Sequence, residues 1–367
     1  MPGLVKILQE TDEELRLSAA LALGKMGKDA VAPVAKLLAG KDVDTRYYAL
    51  SALGWIGPDA KSTAADVLQA LNDKNDGVRA KAAFALGRIG ADPKQAIKPL
   101  LKMLTENNDA VRAAAGEALG NFKAAGVPSL IEALKDDSVP MKIEAARGLA
   151  LVGPDAKEAV LALKFAATDT HDGLAEEAVR ALVKIGPAAL TTMREMLADD
   201  NAKTRMRTLG NLEKIGSTTT PFLADALTAK TVEVRRAAAR SIVVLNVRDE
   251  ATLPALTQAL RDPDREVRTH VLHAVHRVAF AAQKAIPNLL ANLTDKDAAM
   301  RALTLSVIRE IPIESAEIVR VVTPLLEDPD ENVRKLAKEV LAFQGDHPKS
   351  CAGLAGNPFG ARGKLSG

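Results

Sequence analysis

Three histidines, His270, His273 and His276, fall in the stretch THVLHAVHRV and form the densest set of metal-ligating side chains in the sequence. A zinc site needs three or four ligands that converge on one ion. Spacing by threes rotates steadily around a helix, so these rings do not meet at a point, and no carboxylate joins them within the stretch. A solvated or packing role is expected. Cys351 is the single cysteine, which excludes internal disulfides and all-cysteine metal sites and fits a reducing compartment. The lysine-bearing turns GDHPK and GARGK lack the spacing of a phosphate loop. These residues support neither catalysis nor a cofactor, and the chain is expected not to be an enzyme.

Two other groups of residues could bind rather than react. Tyr47, Tyr48 and Trp55, in DTRYYALSALGWIG, are the only two tyrosines and the only tryptophan of 367 residues. Arginines and lysines recur through the middle of the chain, although the formal net charge is only +2. No global field therefore recruits nucleic acid or a membrane surface, and any such preference must be local. Apolar residues make up 47% and charged residues 26%, the balance of a folded chain rather than a disordered one. No run approaches the roughly 18 uncharged apolar residues of a membrane span, and the start MPGLVKILQETDEE lacks a basic segment followed by a clean apolar one. A soluble, cytoplasmic chain is expected.

What must position these groups is a repeat. ELRLSAALALGKMG, GVRAKAAFALGRIG, AVRAAAGEALGNFK, EVRRAAARSIVVLN and NVRKLAKEVLAFQG align without gaps on one arginine. This anchor falls at Arg16, Arg46, Arg79, Arg112, Lys142, Ala175, Arg205, Arg235, Arg268, Arg301 and Arg334, at spacings of 30 or 33 residues. The eleven copies occupy residues 2–345 without a composition break, so a single domain is expected. Relative to the anchor, position −1 is aliphatic or Met in nine copies, +3 is Ala in eight, and +7 is Leu, Ile or Val in all eleven. Positions −1, +3, +7 and +10 share one face of an amphipathic helix. Asp12, Asp44, Asp264, Asp297 and Asp330 are placed to cap its start. Gly27, Gly57, Gly90, Gly153, Gly186 and Gly216 are placed to end it in the left-handed conformation. A second, shorter segment per copy, such as VAPVAKLLAG or AIPNLLANLTD, carries a proline (Pro33, Pro99, Pro254, Pro287, Pro324) expected in a first turn or at a kink. No alternating strand-like run appears, so the fold is expected to be all-α.

The pattern D-x-x-V-R-x-x-A-x-x-A-L-G-x-I-G, preceded by a proline-bearing helix, resembles HEAT repeats, specifically the short bacterial class of phycobilisome-lyase HEAT-like repeats. The resemblance covers residues 2–345. It implies a right-handed α-solenoid of about eleven helix-turn-helix units with the anchor helices lining a concave face. It also implies a protein-binding scaffold. Some iron enzymes built from HEAT repeats use His-Glu pairs, and this sequence holds no His-Glu dipeptide; the bilin lyases of the class share only fold-forming residues with it.

In this register, positions +1 and +5, flanked by +2 and +9, face outward. They place Tyr47, Tyr48 and Trp55 beside Leu17, Leu21 and Lys25 of the first copy and Lys81, Phe84 and Arg88 of the third. The expected aromatic binding patch is Tyr47, Tyr48, Trp55, Phe84 and Arg88. Further along, Arg147, Arg180, Lys184, Arg207, Lys214, Arg236, Arg240 and Arg277 face outward against Glu144, Glu176 and Glu177, forming a basic stripe suited to an acidic segment or a phosphate backbone. Aromatics are not interleaved with it, which argues against nucleic acid. The expected partner is another protein or an extended peptide along the concave face, not a membrane or a small molecule. The alternatives are an accessory enzyme or chaperone of the bilin-lyase type and a phosphate or nucleic-acid-backbone binder using the stripe. The first helix lacks about one turn relative to its counterparts, which suggests association at that end. Residues 346–367, rich in glycine, are expected to form a disordered tail.

Overall fold

A computed structural model describes residues 1–197, 199, 202–215, 219–311 and 315–345. The expected tail, residues 346–367, and Gly216 lie outside them. Among the described residues every regular element is helical. Anchor helices span Glu13–Met26, Val43–Ile56, Asp76–Ile89, Asp109–Asn121, Val139–Val152, Asp172–Ile185 and Ala202–Ile215, then Val232–Val244, Arg265–Arg277, Ala298–Glu310 and Glu331–Gly345. Each follows a shorter partner helix, from 6 residues at Pro2–Ile7 to 11 at Pro93–Met103. Two compact units result, Met1–Thr219 and Thr220–Gly367. In each, successive anchor helices pack side by side and the partner helices form a second row against them.

The buried stripe is the one the period requires. Position +3 is buried in all eleven copies, from Ala19 to Ala337, and the +7 aliphatics from Leu23 to Ile308 are buried as well. Side-chain caps form at Asp12, Asp264, Asp297 and Asp330, each accepting from a backbone N–H of the first turn. Asp44 does not cap. Asp42 does, accepting from Thr45 N at 2.7 Å, while Asp44 lies inside the first turn and pairs with Arg16 at 2.5 Å. Gly27, Gly57, Gly90, Gly153 and Gly186 all have positive φ. Only Gly90 is left-handed α; Gly57, at φ 73° and ψ −138°, occupies a region that side chains exclude more strongly.

The anchor arginine joins the copies. In Arg301 the guanidinium donates backward to the carbonyls of Asp295 and Lys296, at 2.8 and 3.3 Å, in the loop that follows the preceding partner helix, Ile286–Asn292. It also donates forward, through two parallel bonds of 2.8 and 2.6 Å, to Asp328, 27 residues on and at the end of the next partner helix. Arg46 makes the same contacts with Gly40, Lys41 and Asp73. Arg235 repeats them with Asp262, while Arg79 brings two donors to one oxygen of Glu106 and Arg268 makes a single bond to Asp295, each with its loop carbonyls behind. One side chain thus satisfies two loop carbonyls ahead of its own helix and ties down the segment that closes the next partner helix.

The ladder lapses in the middle of the first unit, where Lys142 and Ala175 replace arginine. At Ala175 the two carbonyls that an anchor would cap, Asp169 and Thr170, are capped instead by Arg207 of the following copy, which also pairs with Asp172. A side chain at position +2 has taken over the work of a missing anchor.

Arg301→Ala leaves Asp328, whose side chain is 5% exposed, without its partner, and should lower unfolding free energy by roughly 2–3 kcal/mol, somewhat less than for a fully dry pair. Urea titration reads this. By the same measurement Arg207→Ala should cost roughly 2 kcal/mol through its charge-assisted bonds, and Arg180→Ala, on an exposed ion pair, less than about 0.5 kcal/mol. The stack should also be acid-labile. The Arg236 guanidinium holds the Asp264 carboxyl down to about 2, and Arg301 lowers Asp328. For Asp73 burial pushes upward, yet bonds from Arg46 and the Asn75 amide outweigh it. These folded-state values lie below those of the unfolded chain, near 3.9, so the stabilisation is complete above about pH 4 and is lost as pH falls toward 2. Thermal stability followed from pH 7 to 2 should drop in that window, and Asp264→Asn with Asp328→Asn should flatten the drop.

Candidate functional site

The first four anchor helices carry glycine at +8, at Gly24, Gly54, Gly87 and Gly120. A Cβ added to Gly24 would stand 2.6 Å from the Trp55 Cβ, and one added to Gly54 would collide with the Phe84 ring. Each aromatic therefore lies against a glycine of the preceding copy, one side packed and the other facing out. Trp55, Tyr47 and Phe84 are all half-buried. The glycine row was visible in the sequence as small residues at one register position, although its role as a seat for the aromatics was not.

Tyr48 departs from expectation. Placed outward by the sequence, it is 7% exposed. Its ring stands edge-on to Tyr47, with centroids 5.1 Å apart, and its hydroxyl lies 3.4 Å from Glu13 Oε1. Burial raises its pKa, and the Glu13 carboxylate raises it further. Position +2 is turned toward the preceding copy, so the second tyrosine supports the first.

Cations complete the patch. The Lys81 ammonium sits 5.1 Å from the Tyr47 ring centroid and 5.4 Å from that of Phe84, and the Arg88 guanidinium is 5.9 Å from the latter. These distances are within the range of cation–π attraction. Arg88 and Lys25 are exposed. Among the described residues no carboxylate forms an ion pair with Lys25, Lys81 or Arg88. Exposed Leu17 and Leu21 extend the apolar surface into the first copy. At the N-terminal ends of the same helices a pocket of about 400 Å³ opens between Glu13, Asp44, Tyr47 and Asn75.

The basic stripe is largely neutralised. Arg147 pairs with Glu144 at 2.8 Å and Glu177 at 3.1 Å, and Arg180 pairs with Glu176 and Glu177, both at 3.2 Å. Arg236 holds Asp264 and Glu266, while Arg207 is committed to the ladder. Arg277 donates to Asn246. Lys184 and Arg240 are exposed, and the Lys214 side chain lies outside the described residues. Burial pushes the Glu144 carboxyl above its usual range, with Arg147 pulling the other way. Of the histidines, His270 Nδ1 lies 2.9 Å from the Glu266 carbonyl, and burial followed by its neighbours' charge lowers His273. Among the described residues no three His, Cys, Asp or Glu side chains gather as metal ligands. No helix there is long and apolar enough to cross a membrane.

Among solved structures, the fold is similar to Kap121p bound to Pho4p, with a TM-score of 0.51, 12% identity and coverage of 93% of this chain and 45% of that one. It is equally similar to Kap121p bound to Ste12p, at a TM-score of 0.51, 12% identity and coverage of 94% and 45%. The karyopherin Kap121p bound to the extreme C-terminus of the protein phosphatase Cdc14p gives a TM-score of 0.50 at 12% identity, covering 93% and 45%. At this identity the likeness is one of fold, and the chain spans about 45% of the length of those proteins. No curated protein matches the sequence. A family model described as HEAT repeats matches residues 1–76, 64–140, 127–213 and 220–309. With most of its length so matched and its described residues forming an all-α solenoid of stacked two-helix units, the chain belongs to the HEAT-repeat family.

Proposed function

We propose that the chain is a non-catalytic protein-interaction scaffold of the short, phycobilisome-lyase-like bacterial class, working in the cytoplasm. It holds a protein segment or extended peptide along the row of anchor helices, the side expected to be concave. The observation that carries this reading is the patch on the first three copies. There Trp55 and Phe84 lie half-exposed against glycines and Tyr47 half-exposed against the Tyr48 ring, and among the described residues no carboxylate forms an ion pair with Lys25, Lys81 or Arg88 beside them. Rigid aromatics with neighbouring cations make strong contacts at small entropic cost. The fold supports the reading too, since the similar Kap121p structures include complexes with Pho4p and Ste12p. In the stripe, an anionic ligand would first have to displace Glu144, Glu177 and Asp264 from their arginines, so the phosphate-binding alternative has less in its favour.

Tyr47→Ala/Trp55→Ala, with Tyr48 left in place as support, should reduce recovery of the bound partner at least ~10-fold, the scale of losing a central aromatic. Lys184→Glu/Arg240→Glu should leave recovery unchanged. Quantitative affinity capture with each variant, at matched melting temperature, reads both. Equal recovery by wild type and the aromatic double variant would remove the patch as the site.

A further inference from the structure

The row of partner helices carries an apolar surface that stacking does not require. Phe165 and Leu161, one turn apart on the helix Val160–Ala167, are 68% and 63% exposed. Phe165 stands ten residues before the anchor position of its copy. Eight of the other ten copies place Lys, Glu, Asp or Gln there, as at Lys36, Gln69 and Glu195, and the remaining two place Ala291 and Pro324. The repeats serve as internal controls: the fold uses a polar or small residue at this solvent-facing position, and only the sixth copy uses a large aromatic.

Beside these two side chains a groove of about 560 Å³ runs between the partner helices of the fifth and sixth copies, floored by Ile131, Leu134, Ala162 and Leu174. Two grooves at the corresponding place elsewhere are mixed, with polar side chains set among the apolar ones. Lys36, Gln69 and Asn72 line the one between the second and third copies, and Thr228, Gln258 and Asp262 line the one between the eighth and ninth. The apolar groove also lies where the arginine ladder lapses. Lys142 stands in the anchor's place and lines it together with Asp169, the residue 27 positions on.

The surface carries both a projecting apolar ridge and the apolar groove that would receive one. Its charges balance, with Lys135 and Lys142 against Glu158 and Asp169. A patch that is knob and hole at once, and electrically neutral overall, is complementary to itself under a two-fold axis. We propose that this face pairs with the same face of a second copy of the chain, Phe165 and Leu161 of each entering the groove of the other.

Sedimentation of the full chain over a roughly hundred-fold range of concentration tests this. A reductant is included, because Cys351 could otherwise link two chains. Wild type should show a reversible monomer–dimer equilibrium. Phe165→Glu should weaken it by at least ~30-fold, the effect of removing a hot-spot aromatic, and Leu161→Lys should act in the same direction. Both sites are exposed, so melting temperatures taken at concentrations where the wild type is monomeric should not fall. A wild-type chain that stays monomeric throughout overturns the proposal, even where Phe165→Glu abolishes binding of a different protein. A dimer that survives both substitutions overturns it as well.

Discussion

The arginine rung is the contact on which the stack depends. Between each partner helix and the next anchor helix runs a short loop whose carbonyls lie outside any helix ladder and still need donors. A guanidinium satisfies two of these while its remaining donors meet a carboxylate in the next copy, as Arg301 does with Asp295, Lys296 and Asp328. Lysine lacks the planar fork needed to do both. Where the anchor is lost at Ala175, the loop carbonyls of that copy still need donors, and the chain supplies them from Arg207. The need resides in the backbone, and the position of the arginine that meets it can move.

Much of this architecture was legible because a repeat states its rules eleven times. The period, the helix boundaries, the +3 and +7 core and most of the caps follow from residues that recur. What recurrence could not reveal depends on differences of a few ångströms or on a neighbouring copy. Asp42 and Asp44 stand two residues apart, and only the backbone geometry assigns one to the cap and the other to Arg16. Tyr48 and Tyr47 differ by one helical step of about 100°, enough to bury one ring and leave the other half open. Arg207 reads as an outward cation until its carbonyl partners, more than 35 residues earlier, are seen beside it.

The local charge of the surface follows the same logic. In the fifth and sixth copies, arginines at +5 find glutamates at +1 or +2, either on their own helix or on the next, as Arg147 does with Glu144 and Glu177. The cations balance, and the ridge there presents little net field despite its composition. In the first three copies positions +1 and +2 hold Leu17, Tyr47, Tyr48 and Lys81. Among the described residues no acid forms an ion pair with Lys81 or Arg88, and these cations lean on ring faces instead. Counting arginines along the chain points to the middle copies. Pairing each with its nearest carboxylate points to the first three, where aromatic area and unneutralised positive charge coincide, and that coincidence distinguishes a binding surface from a solvated helix face.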